Sequence, residues 1–187
     1  MWLNLELAPT VMRRISVLVL LVAFNVAAAG TASVAASVEF TPQSGFGGYS
    51  EGNGSLRLLF GKLRPFHVES RGIQRDNGIF RLEQTVNFQG DPPHHRVWLL
   101  TTTSPHHYSA TLSDAAGSVT GTSTGPHLSL RYRVKGPLVM HQELELGQDG
   151  RTIDNVGTMT LLGIPVGHVH ETITRKTTGI DSSNPAW

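Results

Sequence analysis

The sequence predicts an all-β fold: an antiparallel up-and-down barrel of about eight to ten strands, preceded by a signal-peptide helix. Three observations predict it. Phe80, Leu82, Gln84, Val86 and Phe88 share one face of a run, and Arg81, Glu83, Thr85 and Asn87 take the other. That period of two is what a strand with one face on a core requires. Similar short runs recur along the chain, each stopped by Gly, Pro or an Asn-Gly or Asp-Gly pair. The connections between them are short, so consecutive strands become neighbours in space. A meander of this length removes its exposed edges by closing on itself. A two-sheet sandwich would want longer crossovers.

The chain divides in order as follows. Residues 1–36 read as a signal peptide with an upstream extension. Arg13 and Arg14 precede an apolar run from Ile15 to Phe24, and small residues follow through Ala29, with cleavage expected after Ala29 or near Ala35-Ala36. Met12 makes a more typical start than Met1. The apolar run is short for a membrane span, which needs roughly 20 residues. An uncleaved anchor helix is the other reading. Residues 37–48 read as a mobile linker, residues 49–176 as the barrel domain and residues 177–187 as a polar tail.

Within the barrel domain, Gly54 to Phe60 predicts a first strand with Leu56, Leu58 and Phe60 on one face. Phe66 to Arg71 predicts a second, and Asn77-Gly78 a hairpin turn into the strand through Phe80–Phe88. Val97 to Leu100 is apolar on both faces, which predicts a strand covered on both sides. Strands through Tyr108 and from Ser118 to Thr122 follow. His127–Lys135 turns Leu128, Leu130, Tyr132 and Val134 inward, and the next strand does the same with Leu138, Met140, Gln142, Leu144 and Leu146. Arg151–Leu161 and Val166–Arg175 complete the series.

Composition excludes several functions. Formal net charge is +1, which leaves no basic footprint for nucleic acid. With Cys 0 there is no disulfide framework, thiol nucleophile, cysteine-ligated metal or acylated N-terminal cysteine. The domain must rest on its core alone, and a chain of this size buries enough for that. No Gly-x-Ser-x-Gly elbow is present, and Gly117–Gly121 carries Val119 at its centre. Glu143 and Glu145 share the polar face of one strand, where solvation explains them better than a cleft. His168 and His170 could grip one ion from a strand face, but His94-His95 and His106-His107 read as solvated turn residues. No metal and no cofactor are expected, and the sequence names no reaction.

Phe80-x-Leu82-Glu83, Arg96-x-Trp98, Tyr108-x-Ala110, Asp114-x-x-Gly117-x-x-x-Gly121 and Arg131-Tyr132 together resemble a bacterial family of uncharacterised lipoproteins with a lipocalin-like domain. The similarity spans roughly residues 49–173. It implies a cell-envelope protein with a lipocalin-like barrel and no established activity or catalytic residues. This chain departs from the lipoprotein label, having no cysteine to acylate.

The candidate site lies among polar residues that interrupt inward faces. Gln84 sits between Leu82 and Val86, Gln142 between Met140 and Leu144, and Glu171 between Val169 and Ile173. A polar group on a core face costs free energy unless paired. In a ligand-holding barrel these three bind a head group, while Phe80, Phe88, Tyr132 and Met140 line the apolar part. In a filled barrel Gln84 bonds Gln142 and Glu171 pairs with an arginine. Arg96 and Trp98 share a face and read as a stacked pair closing one barrel end, with Tyr108 nearby for the same purpose. The expected function is binding of a hydrophobic or amphipathic small molecule or lipid in the periplasm. The alternatives are a structural barrel filled by its own side chains and an enzyme acting on a lipid-like substrate. Association with the inner membrane is expected only through an uncleaved signal helix.

Overall fold

The computed structural model describes residues 38–176, within the unit Ala36–Trp187, the second of two into which the chain divides. The expected signal peptide and polar tail lie outside the described residues. Ten strands follow a short helix α1 (Pro42–Phe46): β1 (Gly48–Leu58), β2 (Arg64–Gln74), β3 (Ile79–Phe88), β4 (His94–Ser104), β5 (His107–Leu112), β6 (Ser118–Thr124), β7 (His127–Arg133), β8 (Leu138–Leu146), β9 (Thr152–Leu161) and β10 (Ile164–Arg175). Each strand is hydrogen-bonded to its sequence neighbours, and β1 also pairs antiparallel with β10, closing the barrel. The expected up-and-down barrel is therefore present, with ten strands.

Glycine is needed where the hairpins turn. Gly78 and Gly150 hold φ of 79° and 63°, in the left-handed region open to a residue without Cβ. Asp149 fixes its hairpin by accepting from the Arg151 and Thr152 amides and the Thr152 hydroxyl. These bonds, led by the Thr152 hydroxyl, hold its carboxyl at about 2.

Two local expectations are corrected. β1 ends at Leu58, so Phe60 is not an inward strand residue; it stands in the β1–β2 turn, 97% exposed. Arg64 resumes pairing opposite Leu56, and the intervening loop carries Phe60 off the sheet. On β4, Val97 and Leu99 face outward, half-buried and exposed respectively. No layer covers that face among the described residues.

The segment expected as a mobile linker is packed against the barrel. Thr41 caps α1: its hydroxyl accepts from the Ser44 amide at 3.0 Å, and the Ser44 hydroxyl accepts from the Thr41 amide at 2.8 Å. Pro42 starts the helix, where a missing N–H costs nothing. Phe40 is completely buried and meets Phe46 edge-on, with ring centroids 5.6 Å apart. Around them the segment touches most of one barrel end. The Phe40 amide donates to Gly125 O between β6 and β7, and Glu39 pairs with His106 between β4 and β5. Arg175 on β10 donates to the carbonyls of Ser44 and Gly47. On β2, a Cβ at Gly72 would overlap the Phe46 carbonyl and come within 2.6 Å of the Phe80 ring. Residues 38–47 thus plug this end, and the mouth lies at the other, between the β1–β2, β3–β4, β5–β6, β7–β8 and β9–β10 turns.

Phe40→Ala is expected to destabilise the barrel by about 3–5 kcal/mol, the usual cost of deleting a buried aromatic ring. Urea denaturation checks this. A loss within experimental error would mean the plug is not part of the core.

Candidate functional site

Inward-facing residues sort into two levels along the barrel axis. Toward the plug they form a packed core that includes Leu82, Trp98, Leu100, Leu128, Leu144 and Ile153. Toward the mouth they leave a cavity of about 240 Å³. The cavity has a polar floor and a mostly apolar wall. On β7, β8 and β10 the lining residue farther from the mouth is polar (Tyr132, Gln142, Glu171), and its neighbour two positions mouthward is apolar (Val134, Met140, Val169). Arg96 lines the floor from β4, while Leu56, Phe66, Phe88 and Met159 supply more of the wall. His94 and Asp114, 2.9 Å apart, stand on the mouth side.

The floor is wired in one direction. Tyr132 OH donates to Gln142 Oε1 at 3.0 Å, Gln142 Nε2 donates to Asn155 Oδ1 at 3.2 Å, and Asn155 Nδ2 donates to Glu171 Oε2 at 2.9 Å. All four residues are buried. Within this series each residue donates to the next, and the chain ends on an acceptor. Glu171 Oε1 is buried without a hydrogen-bond partner among the described residues, as is the Ser50 hydroxyl on β1. Glycine makes room for the carboxylate: a Cβ at Gly52 would overlap Glu171 Oε1, and one at Gly54 would lie 2.9 Å from Glu171 Cβ.

Burial raises the Glu171 carboxyl above its ordinary 4.5, opposed by the Asn155 hydrogen bond and the Arg96 charge. Burial also pushes the Tyr132 hydroxyl up to about 12, which keeps it a donor. Arg96 donates through Nε to Gln84 Oε1 at 2.9 Å, and that oxygen also accepts from Trp98 Nε1 at 2.7 Å. Gln84 Nε2 completes the group by donating to Ser70 Oγ at 3.1 Å. No ion pair engages Arg96 among the described residues; it lines the cavity, where its charge acts on Glu171 and Tyr132.

The structure therefore brings Gln142, Glu171, Phe88, Tyr132 and Met140 together on the cavity. It places Phe80 elsewhere, against Gly72 at the plugged end. Gln84 stands behind the floor, holding Arg96. The Gln84–Gln142 bond of a filled barrel is absent, since each has other partners. Arg96 does stack on Trp98, 5.8 Å from the ring centroid, but Trp98 lies mid-strand and its ring meets Tyr132 edge-on at 5.4 Å. Tyr108 is not part of this group; its hydroxyl lies 3.3 Å from Ser123 Oγ. Sequence reasoning missed Asn155, although it interrupts an inward face by the same rule that singled out Gln142. His168 and His170 are exposed on β10.

Comparison with known proteins agrees with the architecture. A family model described as Protein of unknown function (DUF3833) matches residues 19–175. No curated protein matches in sequence. Among solved structures, the S-type phycobiliprotein lyase of Guillardia theta is similar with a TM-score of 0.57 at 10% identity, covering 71% of this chain and 89% of that one. A protein of unknown function from the DUF3598 family of Nostoc punctiforme has a TM-score of 0.56 at 12% identity, covering 74% of this chain and 50% of that one. This chain thus spans about half the length of the second. At such identities the likeness is one of fold, a lipocalin-like barrel, as the sequence resemblance implies. Nothing in it supports lipoprotein status.

Glu171 sets a pH dependence. Its folded-state pKa is raised, so its contribution to stability is whole below 4.5 and is lost as pH climbs toward the folded value. Glu171→Gln removes the ionisation. Urea midpoints should show the variant gaining on the native chain as pH rises from below 4.5 to neutrality. A constant difference across that range would mean Glu171 titrates as in the unfolded chain.

Proposed function

The chain belongs to DUF3833, a family whose description assigns no activity, and we propose that it is a binding protein for a small amphipathic molecule with an anionic or hydrogen-bonding polar end. The observation that carries this reading is the cavity with an apolar wall over a polar floor, where Arg96, in no ion pair among the described residues, brings positive charge beside the Tyr132–Glu171 chain. A polar end on the floor meets Arg96 and the floor dipoles, and the apolar part lies along Met140, Val169 and Phe88 toward the mouth. Hydrophobic wall contacts supply affinity, and the few polar groups supply orientation.

Volume bounds the ligand. Pockets for drug-sized molecules run about 300–1,000 Å³, so 240 Å³ takes a short molecule or the polar end of a longer one. A structural barrel filled by its own side chains would leave neither this space nor the unpartnered Glu171 oxygen. Residues 1–36 support export to the periplasm, with retention as an inner-membrane anchor as the variant reading. N-terminal sequencing of periplasmic material should begin after Ala29 or near Ala36; an intact Met1 or Met12 would count against export.

Native mass spectrometry followed by organic extraction tests the binding reading. We expect a co-purifying hydrophobe, or uptake of a fatty acid offered as a probe. Arg96→Met should weaken uptake of an anionic probe by about tenfold or more, the loss of one charge-assisted hydrogen bond. Met140→Trp, which fills the cavity, should abolish uptake while the barrel stays folded by circular dichroism. An apo mass with no response to any probe would leave the cavity without a ligand and sink the proposal.

A further inference from the structure

Part of the mouth is built from side chains that a water-soluble barrel has no reason to display. The β1–β2 turn exposes Leu59, Phe60 and Leu63, and the β9–β10 turn exposes Leu161, Leu162 and Ile164. The two turns stand side by side: the Leu59 amide donates to Val166 O at 2.9 Å, and Leu58 is paired with Gly167. They make one apolar crest on the rim. Large exposed apolar patches on soluble proteins mark interaction surfaces.

The β9–β10 turn carries a second sign. Leu162 and Gly163 have φ of 50° and 85°, as the two central residues of a tight hairpin. That geometry favours Asn-Gly, and a leucine with positive φ is strained. Leu162 is nevertheless 83% exposed and packs into no core. Folding gains nothing from leucine here, so its benefit lies outside the barrel.

Charge indicates what covers the crest. The β1–β2 hairpin carries Arg57 and Lys62 on one flank, and Arg133 and Lys135 at the β7–β8 turn stand on the other. All four are exposed, and none has an ion-pair partner among the described residues. The carboxylates of the mouth, Asp91 and Asp114, lie in the β3–β4 and β5–β6 turns; Asp91, beside the β1–β2 hairpin, is neutralised by Arg64, and Asp114 is engaged by His94. An apolar crest between unpaired cations matches an anionic lipid surface: cations at the phosphates and hydrocarbon at the acyl boundary.

We infer that the β1–β2 and β9–β10 turns dock the barrel mouth onto an anionic lipid bilayer. Both ends of the described chain lie at the plugged end, opposite the crest. The inference stands whether or not the cavity holds an amphiphile.

With Cys 0, one introduced cysteine gives one label position. The full chain carrying Ile164→Cys, or Asp76→Cys in the β2–β3 turn at the plugged end as control, is coupled to an environment-sensitive dye. Each is mixed with vesicles of phosphatidylglycerol and phosphatidylcholine, with and without brominated lipid. The label at 164 should shift to the blue and be quenched by the brominated chains, more weakly as salt is raised, while the label at 76 should not respond. Adding Phe60→Ser and Leu162→Asn to the labelled chain should weaken the response about tenfold or more. Leu162→Asn alone should not lower the unfolding midpoint, because asparagine suits that turn. Four results would overturn the inference: no response at 164, equal response at 76, equal response on phosphatidylcholine alone, or full response from the substituted rim. So would a blue shift without vesicles. If it grew with protein concentration, a second copy would cover the crest; if it did not, another part of this chain would.

Discussion

Closure of β1 against β10 is the constraint on which the rest depends. Every other strand pairing joins neighbours in sequence and forms locally; this one joins the two ends of the meander. It also does more than remove two exposed edges. Register across it sets Gly52 opposite Ile173 and Gly54 opposite Glu171, so the stretch of β1 without interior side chains lies against the buried carboxyl of β10. A slip of one residue would turn the inward set of β10 outward. The notch that houses the Glu171 side chain exists only in this register.

The barrel was legible because alternation and turn chemistry agree at nearly every strand. β3, β7 and β8 announce both their faces and their limits. Phe60 misled because a leucine-rich run continues the period of two past the point where pairing stops, and only the partner strand decides where that is. The plug was hidden for another reason. A helix of five residues shows no period, and its signals are a capping box and two phenylalanines that find each other only in three dimensions.

Site residues were legible in proportion to the contrast around them. Gln142 and Glu171 stand out between bulky apolar neighbours. Asn155 follows the same rule, but Gly157 blurs the inward face of β9 and the exposed Val156 blurs the outward one. Arg96 reads naturally as a partner for Trp98, and it is one. What the sequence could not show is that Gln84 holds the guanidinium through its Nε while Arg96 lines the cavity. Phe80 satisfies the same pattern as Phe88, and only depth along the barrel separates a core residue from a wall residue.

The plug at one end has a kinetic consequence. A tube open at both ends exchanges its contents by displacement, with a newcomer pushing from behind. This one is blind. Whatever occupies the floor leaves by the route it took in, and a second molecule must wait until the first has gone. Release is then a first-order event whose rate no excess of competitor can raise, and only a change at the mouth itself can hasten it.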